Sequence, residues 1–217
     1  MGYSAVLFDM DGTVTDSLAD MHDSVNRALS EFALPEVSED DVRRYVGNGA
    51  RRLIEQAVPE GTEPGLTERV LEFYLPWYAA HCMIKTGPYS GIPELMRRLN
   101  AAGVRQVIVT NKPDSAASEI QERFFSDLAE FAVGEKPGIR RKPCPDMVDA
   151  AVERLGLEKS RCVYVGDSEV DITTARNAGM KCISVLWGFR NREELERAGA
   201  ECFARSPEEL YDLIISG

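Results

Sequence analysis

Four consecutive apolar residues, Ala5, Val6, Leu7 and Phe8, run directly into the acidic turn D-M-D-G-T. So short a run without polar alternation predicts a strand buried on both faces, as inside a parallel sheet. The period then changes. Over residues 17–33, Leu18, Met21, Val25, Ala28, Leu29 and Phe32 recur at three- and four-residue intervals, the spacing of an amphipathic helix, and Pro35 breaks it. Ser38 ahead of Glu39, Asp40 and Asp41 reads as an N-cap with acid in the first turn of a short helix reaching Tyr45 and Val46. Gly47, Asn48 and Gly49 predict a sharp loop before helix resumes over 50–58. Residues 66–83 carry Val70, Leu71, Phe73, Tyr74, Trp77 and Tyr78 at helical spacing, with Pro76 expected to kink or split that helix.

From Ile92 onward the two periods alternate. Helices are expected over 92–102, 113–125, 145–155, from the Asp167 region to Ala178, over 192–198, and over 207–215 behind a Ser206 cap. Strands are expected over 104–110, 131–133, 162–165, 182–186 and 202–203. Such alternation implies right-handed crossovers and a mostly parallel sheet covered on both faces. The fold class is therefore α/β, a Rossmann-like parallel sheet core formed by residues 1–15 and 84–217. Residues 16–83 interrupt it as an all-helical insertion. No repeat, low-complexity tract or G-x-G-x-x-G is present, which argues against a dinucleotide site.

Composition narrows the partners. A chain of 217 residues can bury a substantial core. Its 25 basic against 36 acidic residues leave a net charge of −11, unsuited to nucleic acid or an anionic membrane. An anionic substrate then needs a local cation to hold it. The five cysteines, Cys82, Cys144, Cys162, Cys182 and Cys202, are odd in number, dispersed and without C-x-x-C, so they read as small hydrophobes. His22 and His81 have no metal-ligand spacing. With no membrane-length apolar run and acid already at Asp9, a cytoplasmic protein acting as a monomer or homodimer is expected.

In a parallel sheet the strand ends share one edge, where open α/β folds bind ligands. Here those ends carry Asp9, Asp11, Gly12 and Thr13; Thr110, Asn111 and Lys112; and Asp167, Ser168 and Asp171, with Lys142 just ahead of the 145–155 helix. The set suits phosphoryl transfer. Asp9 is placed as a nucleophile that takes the phosphoryl group, and Asp11 as the acid and base for leaving alcohol and water. Asp9 and Asp167 supply hard oxygen ligands for Mg²⁺, and Asp171 either ligates or orients a bound water. Thr110, the backbone of Asn111, and Lys142 would hold the non-reacting phosphoryl oxygens.

D-M-D-G-T-V-T, V-I-V-T-N, R-K-P and G-D-S-E-V-D, in this order, resemble the four motifs of the haloacid dehalogenase superfamily across nearly the whole chain. The resemblance implies that Asp9 is the nucleophile and that Asp11 is the acid/base whose main-chain carbonyl also binds metal. It makes Asp167 a Mg²⁺ ligand, places Gly12, Thr13, Thr110, Asn111 and Lys142 around the phosphate, and makes the helical insertion a C1 cap. An aspartate at position 11 favours a phosphatase or phosphomutase over a dehalogenase. Y-V-G-N-G-A with V-T-N-K-P is similar to phosphoglycolate phosphatases and their pyrophosphatase relatives, which implies a cap loop of Gly47, Asn48 and Gly49 with Arg51 or Arg44 meeting a second anion. Val14-Thr15 is closer to the β-phosphoglucomutase wording. The expected activity is hydrolysis of a small anionic phosphorylated metabolite, with a mutase or pyrophosphatase as the alternative. A phospho-accepting receiver fits less well, because a helical insertion interrupts the sheet.

Overall fold

The computed structural model describes residues 2–217. The chain forms two compact units, one comprising the residues up to Thr15 together with Pro88–Gly217, the other Asp16–Gly87. After β1 (Ala5–Phe8), the chain leaves the first unit through β2 (Thr15–Asp16) and forms α1 (Leu18–Glu31), α2 (Glu39–Tyr45), α3 (Gly49–Ala57) and α4 (Pro64–His81). It rejoins through β3 (Gly87–Pro88). Then follow α5 (Ile92–Ala101), β4 (Arg105–Pro113), α6 (Asp114–Phe125), β5 (Ala132–Glu135) and α7 (Asp146–Leu155). A 3-10 turn (Lys159–Arg161) leads into β6 (Cys162–Gly166), α8 (Glu169–Ala178), β7 (Lys181–Val185), α9 (Arg192–Arg197), β8 (Phe203–Ala204) and α10 (Pro207–Ser216).

The first unit is built on a six-stranded sheet of order β5-β4-β1-β6-β7-β8, and its strand pairs are parallel. β1 lies at the centre, with Ala5 opposite Arg105 on β4 and Cys162 on β6. Its four residues are fully buried, which is why an unbroken apolar run encodes it. Ala5, Leu7, Val107, Val109 and Tyr164 face one side, packing with Met147, Val148, Ala151, Val152 and Leu155 of α7 and with Ala175 and Ala178 of α8. The alternate residues Val6, Phe8, Ile108, Val163 and Val165 are equally buried on the opposite face. α5 packs on β4 and α10, and its Ile92, Leu95, Met96 and Leu99 form an apolar stripe at helical spacing. Gln106, a polar residue in a buried strand, is accommodated because its amide donates to Met96 O (2.8 Å) and Asn100 Oδ1 (2.7 Å).

Two elements depart from the expected boundaries. β4 runs to Pro113 rather than ending at Thr110, with a register irregularity against β5 between Val109 and Pro113. α4 is one helix from Pro64 to His81 and is not split at Pro76. Pro76 and Glu72 are both exposed, so water can serve the Glu72 carbonyl that loses its helical donor.

Within the second unit, Ser38 and Asp41 form the reciprocal capping box that starts α2. α1 buries Met21, Val25, Ala28 and Leu29 and packs against α4, which buries Val70, Leu71, Tyr74 and Tyr78. Asp20 ties the end of this unit to its beginning. Its buried carboxylate accepts from the backbone N–H of Ile84 (3.0 Å), Lys85 (2.9 Å) and Thr86 (2.8 Å) and from the Thr86 hydroxyl (2.8 Å). Compact packing therefore continues past α4 to Gly87.

Candidate active site

β4, β1 and β6 are adjacent and parallel, so Thr110, Asp9 and Asp167 stand at one edge of the sheet. β1 is also where connections to later strands depart in opposite directions, to β4 on one side and β6 on the other. Lys142 arrives on the segment ahead of α7. Its backbone is fixed by a two-bond clamp: Asn111 Nδ2 donates to Lys142 O (2.9 Å), and Lys142 N donates to Asn111 Oδ1 (2.8 Å). The Asn111 side chain thus serves Lys142.

The Lys142 ammonium is the hub. It donates to Asp9 Oδ1 (2.7 Å), Asp171 Oδ1 (2.9 Å) and the Tyr164 hydroxyl (2.9 Å), all buried. The Tyr164 hydroxyl in turn donates to the Val109 carbonyl (3.2 Å). Asp171 has a second task at the start of α8, where its Oδ2 accepts from the Ser168 hydroxyl (2.7 Å), Ser168 N (3.1 Å) and Asp167 N (3.2 Å). It therefore both caps the helix and balances Lys142. Gly166 leaves room for this, because a Cβ there would collide with the Asp171 side chain.

Asp167 is held by the Thr13 hydroxyl on Oδ1 (3.2 Å) and by the Phe189 N–H on Oδ2 (2.7 Å). Two glycines allow the loops to approach it. Gly12 has φ of 87°, and a side chain there would strike the Asp167 carboxylate; at Gly188 it would strike Gly12 O and Asp167. The Trp187 indole donates to Thr13 O (3.0 Å), tying the same two loops together. Arg190 supports the 187–190 segment through Glu169 (2.9 Å).

Asp9, Asp167 and Asp171 offer ligand oxygens within 4.8 Å of one another. Burial, with the Asp171 carboxylate second, drives Asp9 well above the ordinary carboxylate range although Lys142 opposes this. The same two causes lift Asp167 to about 7. Burial pulls against the Lys142 ammonium, but Asp171 and Asp9 hold its pKa well above the usual lysine value. Three clustered carboxylates, two of which share the Lys142 ammonium, leave an excess of buried negative charge, and an all-oxygen donor set of this kind fits a hard divalent cation. Asp171, saturated by Lys142 and the cap, is less available to it than Asp9 and Asp167.

Asp11 is placed differently. Its carboxylate lies outside that cluster, with Oδ1 2.9 Å from Lys112 Nζ. Thr110 Oγ1 accepts from Lys112 N (3.1 Å), which leaves the hydroxyl proton to donate elsewhere. Gly47, Asn48, Gly49 and Arg51 lie in the second unit, at the turn between α2 and α3 and on the first turn of α3. Arg51 there pairs with Glu68 through two bonds (2.7 and 3.0 Å), and Arg44 pairs with Asp41. Lys112 stood among the expected strand-end residues without a role of its own, whereas Tyr164, Gly188 and Phe189 were not among the expected site residues. A phenol inside the otherwise apolar run of β6 was the one available signal, since a buried hydroxyl must find a partner.

Comparison with known proteins bears on what such a site does. A model described as haloacid dehalogenase-like hydrolase matches residues 6–185. The chain is similar to N-acetylmuramic acid 6-phosphate phosphatase of Pseudomonas aeruginosa, 33% identical over 216 residues that cover 99% of this chain and 96% of that one. It is also similar to phosphoglycolate phosphatase of Xanthomonas campestris pv. campestris, 36% identical over 187 residues, covering 86% and 84%. A crystal structure from Lactobacillus delbrueckii subsp. bulgaricus, provisionally assigned as a phosphoglycolate phosphatase, superposes with a TM-score of 0.95 at 38% identity over 100% of both chains.

Proposed function

Because the chain belongs to the haloacid dehalogenase-like hydrolase family, we propose that it is a Mg²⁺-dependent phosphatase that hydrolyses a small phosphomonoester through an aspartyl-phosphate on Asp9. The observation that carries this reading is the buried constellation in which Asp9 shares Lys142 with Asp171 beside Asp167. Asp9 attacks phosphorus, and the bond to the leaving oxygen breaks as Asp11 delivers a proton to it. Water, deprotonated by Asp11, then cleaves the acyl phosphate and restores the Asp9 carboxylate. Lys142 opposes negative charge at Asp9, and the Thr110 hydroxyl donates to a non-reacting phosphoryl oxygen. Asp9 and Asp167 would hold Mg²⁺, which when bound offsets charge shared by the carboxylates and the phosphoryl group.

The names of the relatives narrow the substrate class. Phosphoglycolate and N-acetylmuramic acid 6-phosphate both carry a carboxylate on the alcohol that leaves. The proposed substrate is accordingly a phosphomonoester of a hydroxy acid. The test is phosphate release from 2-phosphoglycolate, N-acetylmuramic acid 6-phosphate, glucose 1-phosphate and pyrophosphate, with and without Mg²⁺. Metal-dependent release from an acid-bearing ester, lost in Asp9→Asn, is expected. Release that survives Asp9→Asn would remove the nucleophile assignment. Conversion of glucose 1-phosphate to its isomer without free phosphate would replace the phosphatase by a mutase.

A further inference from the structure

Lys112 is a cation that the phosphatase reading leaves without a task. Its side chain is 2% exposed, against 13% for the Asp11 carboxylate it contacts at 2.9 Å. The ammonium therefore lies behind Asp11, on the protein side, while Asp11 keeps access to solvent. Burying a lysine is costly and is tolerated only where a charge partner compensates. The backbone of Lys112 is itself fixed, because its N–H donates to Thr110 Oγ1. Three successive residues near the end of β4 thus serve three different groups: Thr110 offers its hydroxyl proton, Asn111 clamps Lys142, and Lys112 reaches Asp11.

We infer that Lys112 is the positioning residue for the acid/base, its buried ammonium fixing the Asp11 carboxylate in the orientation from which it protonates the leaving oxygen. This rests on the reading of Asp11 as acid/base. A general acid has to lie within hydrogen-bond reach of the atom it protonates, and the Lys112 ammonium at 2.9 Å fixes one oxygen of the Asp11 carboxylate. Gly12, the next residue, has positive φ, and Asp11 pairs with Thr15 in an isolated bridge outside the strands. On this inference the buried ammonium acts through Asp11, and its effect is confined to steps in which Asp11 takes part.

That confinement makes the inference testable with two esters. In 2-phosphoglycolate the leaving alkoxide needs a proton; in 2,4-dinitrophenyl phosphate the leaving phenolate does not. The kcat/KM for each reports the step in which that group departs. In the presence of Mg²⁺, Lys112→Met is expected to lower kcat/KM for 2-phosphoglycolate, or for the best alkyl ester of the panel above, by about 100-fold. For dinitrophenyl phosphate the expected change is less than about 3-fold, because general-acid assistance has little to add there. Asp11→Asn should show the same ester dependence, and the double variant should be no worse than Asp11→Asn alone, since Lys112 acts only through Asp11. If Lys112→Met does not fold, Lys112→Gln supports the same comparison with a polar group retained. Equal losses on both esters, no loss on either, or additive losses in the double variant would overturn the inference. If Asp11→Asn itself shows no ester dependence, the acid/base reading of Asp11 falls, and the role of Lys112 falls with it.

Discussion

Asp9, Asp171 and Lys142 form a charge set in which no member is dispensable to the others. Lys142 meets both carboxylates within 2.9 Å, and all three side chains are buried or nearly so. Truncating one partner of a buried pair leaves the other as an uncompensated charge, which costs about 3–5 kcal/mol. Lys142→Met is therefore expected to destabilise the metal-free protein by about that amount in urea unfolding, besides abolishing phosphate release. A stability change below about 1 kcal/mol would mean that the two carboxylates are relieved by protonation rather than by Lys142. Gly188 makes a contrasting case, because its importance lies in absent atoms. A Cβ there would collide with Gly12 O and Asp167, so Gly188→Ala must push two loops apart, at a cost of about 1–3 kcal/mol. Isothermal titration with Mg²⁺ should show weaker binding in this variant, and unchanged binding would place the metal away from Asp167. The placement of Asp9 and Asp167 at the sheet edge was legible in the sequence because a charged residue directly after an apolar strand has an assignable position, whereas Lys142 stands on a segment ahead of a helix and was legible only through the R-K-P resemblance. Gly188 and the pairing of Lys112 with Asp11 were not: the position of Lys112 was legible but its partner was not, and the collision that requires a glycine arises between segments far apart in the chain.

At the scale of elements, periodicity gave the strands and helices but not where they stop. β4 continues past Thr110 because the Lys112 N–H is taken by the Thr110 hydroxyl and Asn111 is clamped to Lys142, both contacts that local pattern does not encode. α4 passes through Pro76 where both Pro76 and Glu72, whose carbonyl loses its helical donor, are exposed. The Asp20 carboxylate decides how the helical unit closes. It receives the N–H groups of three successive residues, Ile84, Lys85 and Thr86, which in sequence look like an ordinary loop. Asp20→Ala leaves these donors and the Thr86 hydroxyl without their acceptor, and a destabilisation of about 3 kcal/mol is expected, confined to the helical unit. Hydrogen exchange should show the amides of 84–86 losing protection before those of β1 and β6. Loss of protection in β1 and β6 to the same degree would show that the two units open together.

For the whole molecule, the acidic site links metal, proton and fold. The net charge of −11 already favours cations near the protein, and the buried cluster concentrates that demand at one edge of the sheet. Burial, with the Asp171 carboxylate second, raises the pKa of Asp167 from its ordinary 3.8 to about 7. Between those values the folded metal-free protein keeps a proton that the unfolded chain has lost. The unfolded state then binds fewer protons, so this group's contribution to stability declines as pH rises through the window from about 4 to 7 and levels off above it. The raised Asp9 acts in the same direction. Mg²⁺ competes with those protons, since a carboxylate ligand must be ionised to bind it. The rise in Tm on adding a fixed excess of Mg²⁺ is therefore expected to be larger at pH 8 than at pH 5.5, with most of the change falling around pH 7. In Asp167→Asn the metal-free Tm should lose much of its decline between pH 5.5 and 8, and the Mg²⁺ increment should shrink at both values. A Mg²⁺ increment equal at the two pH values in the unaltered protein would show that the metal displaces no proton, and would place its ligands outside the Asp9–Asp167 pair.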